Sequence, residues 1–216
     1  MIILALESST TSAKTLLFDS ETGHTSVRSR RFEVPGPDTS VRDPDAIYTQ
    51  LMALGREAAA GVAVDLIVLS GTWHGLTLVD DDLRVITPVR EWPDTSAQDL
   101  SARERRDADF TWWFYERTGC MVNAIYPAFK LAWLSEQGVS LDGRLALDQA
   151  SLNFARMTGE ASTNVSLASG TGMLGADSLE WDAEVLDRLG IADVRLPALR
   201  GAGHTVPLSR DAAVLL

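Results

Sequence analysis

Cysteine is nearly absent. Cys120 stands alone, so no disulfide closes within the chain, which excludes the stapled extracellular scaffolds and suits a reducing cytoplasm. Lysine is almost as scarce: Lys14 and Lys130 are the only two, against a background of arginine. No Cys/His cluster has the spacing of a metal site. No apolar run is long enough to cross a membrane. The opening Met-Ile-Ile-Leu-Ala-Leu lacks a basic leader region, and Glu7 interrupts it early. Positive charge is in deficit. A formal charge of −11 argues against non-specific DNA or RNA binding, which needs clustered cations to release counterions. It leaves room for a phosphate-bearing ligand, for which one local cation or a metal ion suffices. The expectation is a cytoplasmic protein with no nucleic-acid or membrane partner.

What remains is an ordinary globular composition, 45% apolar and 23% charged, and 216 residues are enough to bury a core in one domain. Ile2–Leu6, Thr15–Phe18 and Val27–Val34 read as three antiparallel strands, and Pro35-Gly36-Pro37 then breaks the pattern. Asp43 or Asp45 caps a helix running to about Ala60, with Ile47, Leu51, Leu54 and Ala58 at helical spacing. Val64–Leu69 reads as a short buried strand, and Leu76–Val79 and Val85–Ile86 flank a hairpin at Asp80–Asp82. Helices are expected over Ser96–Arg106, Phe110–Arg117, Ala128–Glu136, Leu147–Met157 and Asp182–Leu189. Leu167–Gly172 reads as a turn between short strands. Antiparallel strands followed by strand–helix alternation imply an α/β fold, a mixed sheet flanked by helices.

Several segments carry side chains suited to chemistry. In Glu7-Ser-Ser-Thr10-Thr11-Ser-Ala-Lys14 an acid at a strand end meets five hydroxyl residues and a lysine. A carboxylate there holds Mg²⁺ directly or through water, while hydroxyls, turn amides and an ammonium hold phosphate oxygens. Both glycines of a Walker A loop are missing, and a plain Ser/Thr-rich hairpin with a solvated acid fits the same residues. Ser70-Gly-Thr-Trp73-His74-Gly75 offers an indole face for a sugar's C–H groups and an imidazole for its hydroxyls, or else a buried Trp and a satisfied core His. Glu91-Trp92-Pro-Asp94-Thr offers another indole–carboxylate pair, and a carboxylate accepts bidentate hydrogen bonds from neighbouring sugar hydroxyls, unless Asp94 only caps the next helix. In Tyr126–Leu134 the aromatics suit an amphipathic core helix, and Lys130 is the residue with functional promise. Ser70 and His74 make no hydrolase triad, since the G-x-S-x-G elbow is absent.

Taken in order, these segments resemble the FGGY family of sugar kinases, in particular its xylulokinase- and gluconokinase-like branches. Glu7 to Lys14 resembles the family's first phosphate motif, D-x-G-T-[ST]-x-x-K. Ser70–Gly75 is similar to "SGQMHG" and Glu91–Thr95 to "WNDTR". Thr118-Gly119 with Pro127–Leu134 resembles "TG…APKLLWL", and Thr158-Gly-Glu160 through Ser169-Gly-Thr171 resembles "TGE…DASGT". The resemblance covers nearly the whole chain. It implies an actin/hexokinase-like, ribonuclease H-type domain over residues 1–216, the sugar-binding half of an ATP-dependent carbohydrate kinase that uses Mg²⁺. Glu7 falls at the catalytic, metal-linked acid position. Thr10, Thr11 and Lys14 fall at the phosphate hairpin, and Trp73, His74, Gly75, Trp92 and Asp94 at the sugar site.

The departures from the family pattern set further expectations. Glu7 replaces an aspartate, Ser9 replaces a glycine, and Ser96 replaces the arginine of W-N-D-T-R, which removes a positive group. The "GGGD" motif carrying the family's proton-accepting aspartate, and its adenosine motifs, are not in this sequence. The chain is therefore expected to be inactive alone, and to need a missing C-terminal half or to self-associate as a homodimer through an exposed apolar face. The alternative is a non-catalytic sugar-binding or regulatory module.

Overall fold

The computed structural model describes residues 1–33 and 38–216. The expected break at Pro35–Pro37, and Val34, lie outside the described residues. Alternation of side chains builds the first sheet: β1 (Ile2–Ser8), β2 (Ser12–Asp19) and β3 (Thr25–Arg31) form an antiparallel meander. Its buried positions include Leu4, Leu6, Ala13 and Thr15. The chain then pairs briefly as β4 (Val41–Arg42) and enters α1 (Pro44–Ala58). Asp43 caps this helix by accepting from the Asp45 amide, and Pro44 pre-sets the first turn. Ile47, Leu51 and Leu54 lie in one apolar cluster with Leu4, Leu6 and Ala13 of the sheet.

The helix returns the chain to β5 (Leu66–Gly71), which runs parallel to β1, giving the strand order β3-β2-β1-β5. This is the mixed sheet expected from the sequence. The strand starts two residues later than its apolar run predicts and is only half-buried, with Val68 45% exposed. The reason is position: among the described residues it is the sheet's edge.

A second layer follows. β6 (Thr77–Val79) and β7 (Val89–Arg90) enclose the Asp80–Asp82 turn, which closes through a Val79–Val85 bridge. The expected hairpin is therefore minimal, because β7 pairs with β4 and β6 pairs with a later strand, β8 (Leu145–Leu147). Helices α2 (Gln98–Glu104), α3 (Ala108–Thr118) and α4 (Pro127–Glu136) lie between them in sequence. Phe110 and Phe114 of α3 and Phe129 and Leu131 of α4 fill the second core. α5 (Gln149–Thr158) starts later than expected, because the Asp148 carboxylate caps it and Leu147 stays in β8. β9 (Ser162–Asn164) leads into α6 (Val165–Ser169), capped by Asn164. The Leu167–Gly172 segment is thus a short helix and its exit rather than a turn between strands, since the Asn164 side chain accepts from the Leu167 amide. α7 (Ala183–Arg188), β10 (Ala198–Arg200), parallel to β9, and α8 (Arg210–Leu215) complete the chain.

Candidate functional site

The parallel pairing of β1 and β5 decides where the chemistry collects. Glu7 stands opposite Ser70 and Ser8 opposite Gly71, so both strands deliver their motifs at the same carboxyl-terminal edge. In open α/β sheets that edge is where ligands bind. Helix α5 packs so closely on the end of β5 that a Cβ on Gly71 would lie 2.6 Å from Ala150 Cβ.

In the first turn, Glu7 and Lys14 are cross-strand neighbours, and the ammonium donates to both carboxylate oxygens at 3.3 and 3.2 Å. Both side chains keep solvent access. Ser9, where a glycine was expected, is not in the left-handed region. Its hydroxyl instead closes the turn, donating to the Ser12 carbonyl at 2.8 Å and accepting from the Ser12 amide at 3.2 Å. Serine is thus accommodated without strain. Thr10 is half-buried, Thr11 is exposed, and the Thr10 hydroxyl accepts from the Trp92 indole N–H at 3.1 Å. That bond ties the hydroxyl hairpin to a segment more than eighty residues away in sequence.

Trp73 and His74 leave β5 on a strained path. His74 has φ +68°, the left-handed region where a non-glycine residue must be held by its surroundings. Two contacts hold it: its carbonyl accepts from Lys130 Nζ at 2.7 Å, and its Nδ1 lies 2.6 Å from the Gly170 carbonyl. A carbonyl only accepts, so Nδ1 carries the proton and Nε2 is the lone-pair nitrogen. Burial pushes the imidazole below its ordinary pKa, with Lys130 adding to the effect against the Gly170 bond. The ring therefore stays neutral near pH 7. Trp73 and Tyr126 meet it edge-on at 5.9 and 5.2 Å. A Cβ on Gly170 would stand 3.3 Å from the ring, so glycine there permits the close approach.

The third segment runs alongside. Leu76 and Arg90 exchange backbone hydrogen bonds at 3.0 and 2.8 Å, which places Gly75 beside Glu91. Trp92 is 48% exposed and Trp73 47%, two indoles presented to solvent on one edge of the molecule. Asp94 is buried, and its carboxylate accepts from the Ser96 hydroxyl at 2.5 Å, the Ser96 amide at 3.3 Å and Arg90 Nη1 at 3.4 Å. It closes its own turn; the cap position of α2 is Ala97. The positive group expected to be lost at Ser96 is restored from elsewhere: Arg90 Nη1 donates to Ser96 Oγ at 3.0 Å while its guanidinium stacks 4.5 Å over Trp133.

Beneath these loops lie charges whose burial the sequence does not announce. Arg42 is buried, donates to the Ser9 and Thr10 carbonyls and faces buried Glu91 at 3.6 Å. Burial pushes Glu91 above its ordinary pKa; Arg42 and Lys130 oppose this and Asp148 adds to it. Neither Arg42 nor Glu91 carries a sequence signal of burial, since each looks like a surface charge beside a turn. Asn153 of α5 donates to Ser8 Oγ at 3.3 Å and is equally unannounced.

The crevice behind Trp73 and His74 has only about 20 Å³ of space, enough for one water. A ligand the size of a sugar does not fit inside this crevice. A larger hollow of about 400 Å³ exists elsewhere, but none of Glu7, Lys14, Trp73, His74, Trp92 or Asp94 lines it. Among the described residues no three His, Cys, Asp or Glu side chains group as a metal cage. A single carboxylate such as that of Glu7 would hold an ion such as Mg²⁺ only together with waters and phosphate oxygens. No helix among the described residues is long and apolar enough to span a membrane.

The sequence profile of the FGGY family of carbohydrate kinases, N-terminal domain, matches residues 2–213. A xylulose kinase of Streptomyces rubiginosus is 27% identical over 221 residues, covering 97% of this chain and 44% of its own. A glycerol kinase of Paracidovorax citrulli is 30% identical over 233 residues, covering 99% and 45% respectively. Among solved structures, gluconate kinase from Lactobacillus acidophilus superposes with a TM-score of 0.87 at 21% identity, covering 99% of this chain and 45% of that one. Glycerol kinase of Plasmodium falciparum, solved with ADP, gives 0.82 at 20% identity. The fold is thus the actin/hexokinase-like one, and the chain spans about half the length of the relatives it matches.

Proposed function

The chain belongs to the FGGY family of carbohydrate kinases, and from that premise we propose that it is the sugar-binding half of an ATP-dependent kinase acting on a sugar, ketose or sugar acid. The observation that carries this reading is the bond from Trp92 to Thr10, which sets a sugar-sized aromatic surface directly beside a hydroxyl hairpin suited to phosphate. The exposed faces of Trp73 and Trp92 take the C–H face of the substrate. His74 Nε2 accepts from one of its hydroxyls, and Gly75 lies buried behind that contact. Asp94, with its oxygens engaged, sets the pitch of the Trp92 turn.

On this reading the Thr10 and Thr11 hydroxyls and the Lys14 ammonium hold the transferring phosphate group of ATP. The Glu7 carboxylate would hold the accompanying Mg²⁺, which would supply neutralisation of the phosphate charge. For that, Lys14 must swing from Glu7 to phosphate, which its exposed position permits. The proton of the attacking hydroxyl needs an acceptor that the family resemblance places outside these 216 residues. We therefore expect no turnover from the chain alone, and we infer that a second, ATP-binding half closes over this edge. The compartment proposed is the cytoplasm, consistent with the single buried thiol of Cys120.

Calorimetric titration with xylulose, gluconate and glycerol tests the reading. Saturable binding of at least one, lost in Trp73→Ala, is expected. A well-folded chain that binds none of them refutes it. The mutual neutralisation of Glu7 and Lys14 favours one second reading, a sugar-binding module without catalysis. Sugar-dependent ADP formation after supplying a family C-terminal half decides against that module.

A further inference from the structure

We propose that Lys130 is a positioning residue, and that its ammonium is the peg on which both aromatic loops of the edge hang. Lys130 has no exposed surface, although it is one of only two lysines in the chain. Its Nζ donates to three backbone carbonyls: His74 at 2.7 Å, Glu91 at 2.7 Å and Arg90 at 3.2 Å. The first belongs to the Trp73 loop and the other two lead into Trp92. A single atom on α4 thus fixes two segments that come from different strands.

The chemistry of the acceptors dictates the protonation state. An ammonium has three N–H donors, and three carbonyls meet them. A neutral amine has two donors and a lone pair, which would be turned against the third carbonyl. The surrounding charges are mixed. Glu91 and Asp94 of the Trp92 loop favour the cation; Arg90, stacked on Trp133 of the same helix, opposes it. Asp148 at the start of α5 and Arg42 of β4 act on Glu91, and His74 is neutral. Burial is the largest influence and pushes Lys130 down to about 8. The peg is therefore in place at neutral pH and withdrawn in mildly alkaline solution.

The sign of the linkage separates this role from ordinary structural support. Because the folded-state value lies below the unfolded value of 10.5, losing the proton relieves a burial cost. Global stability does not fall through this group between pH 8 and 10.5, whereas the ordering of the loops does. A simple core residue shows no such split.

Hydrogen exchange of the whole chain reads the loops directly. The reporters are the Leu76 and Arg90 amides, which bond to each other's carbonyls, and the Glu91 amide. After correction for intrinsic rates, their protection in the wild type is expected to drop at least about tenfold between pH 7 and 9.5, while the β1–β2 amides keep theirs. Lys130→Met loses the same protection at pH 7. Should it fail to fold, Lys130→Arg keeps the charge but presents a planar fork that cannot meet three carbonyls, and it is expected to loosen the same amides with its melting temperature little changed. Unchanged protection of Leu76 and Arg90 in the wild type across that pH range, or in a folded Lys130 variant, overturns the proposal. The link to ligand binding rests on the sugar-site reading. If the wild type binds a polyol, its affinity falls about tenfold in step with the amides. If no polyol binds, the sugar-site reading fails and the exchange data alone decide on Lys130.

Discussion

Arg42 and Glu91 form an ion pair under the hairpin whose removal should be costly one partner at a time and cheap together. Both side chains are almost wholly buried, 1% and 4% exposed, and they approach only to 3.6 Å. Nε and Nη2 of Arg42 find no hydrogen-bond partner among the described residues, so the guanidinium is only partly compensated. Breaking a buried pair from one side typically costs about 3–5 kcal/mol, because the remaining charge is stranded. The imperfect geometry places Arg42→Met at the lower end, about 3 kcal/mol, which for a chain of this size corresponds to roughly 6–12 °C in melting temperature. The double variant Arg42→Met/Glu91→Met should return to within about 1 kcal/mol of wild type, because apolar groups of similar volume replace both charges. The cost also depends on pH. Glu91 is already raised by burial, and Arg42 is the first of the cations holding it down, so Arg42→Met raises it further. A folded state that binds its proton more tightly than the unfolded chain loses stability as pH climbs above the ordinary carboxylate range. The Arg42→Met deficit should thus be full at pH 8 and visibly smaller at pH 5. Urea unfolding followed by far-UV circular dichroism at both values measures it. A deficit below about 1 kcal/mol, the same deficit at both pH values, or a double variant no more stable than the single one refutes the reasoning.

Three further outcomes are expected. Arg90→Leu should cost about 1–2 kcal/mol in urea unfolding by stranding Asp94, and adding Ser96→Arg should restore most of it; no rescue would show that Arg90 does not stand in for a cation at position 96. Gly71→Ala forces a Cβ to within 2.6 Å of Ala150 Cβ and should lower stability by about 1–3 kcal/mol, with partial recovery on Ala150→Gly, as read by thermal unfolding. The His74 imidazole should show an Nδ1–H tautomer and a protonation midpoint below 6.5 by nitrogen-15 NMR; since its pKa is lowered on folding, its contribution to stability is present above 6.5 and lost as pH falls, and a midpoint at or above 6.5 contradicts the assigned environment.

Much of the framework was legible because it depends on local rules. Two apolar runs flanking a hydroxyl-rich turn predict β1 and β2 to within a few residues. Asp43 and Asp182 mark the starts of α1 and α7 as expected, whereas the caps Asp107 and Asp148 set the starts of α3 and α5 at points about two residues from the expected ones. Where prediction slipped, longer-range pairing had intervened: Leu147 left its expected helix for β8, and the apolar Val64–Leu69 run became an exposed edge. Ser9 shows the reverse case, an apparent defect that a hydroxyl makes harmless through bonds to Ser12.

The sequence by itself determined the order of the motifs, the family they belong to, and the residue types available at the edge, because spacing along a chain is a local property. Only the tertiary structure decided which charges work there. Lys130, Arg42, Glu91 and Arg90 owe their roles to carbonyls, carboxylates and rings that lie far away in sequence and meet only when β1 and β5 run parallel. Burial gives those charges their strength by removing the water that would screen them, and the sequence carries no mark of where water will be absent.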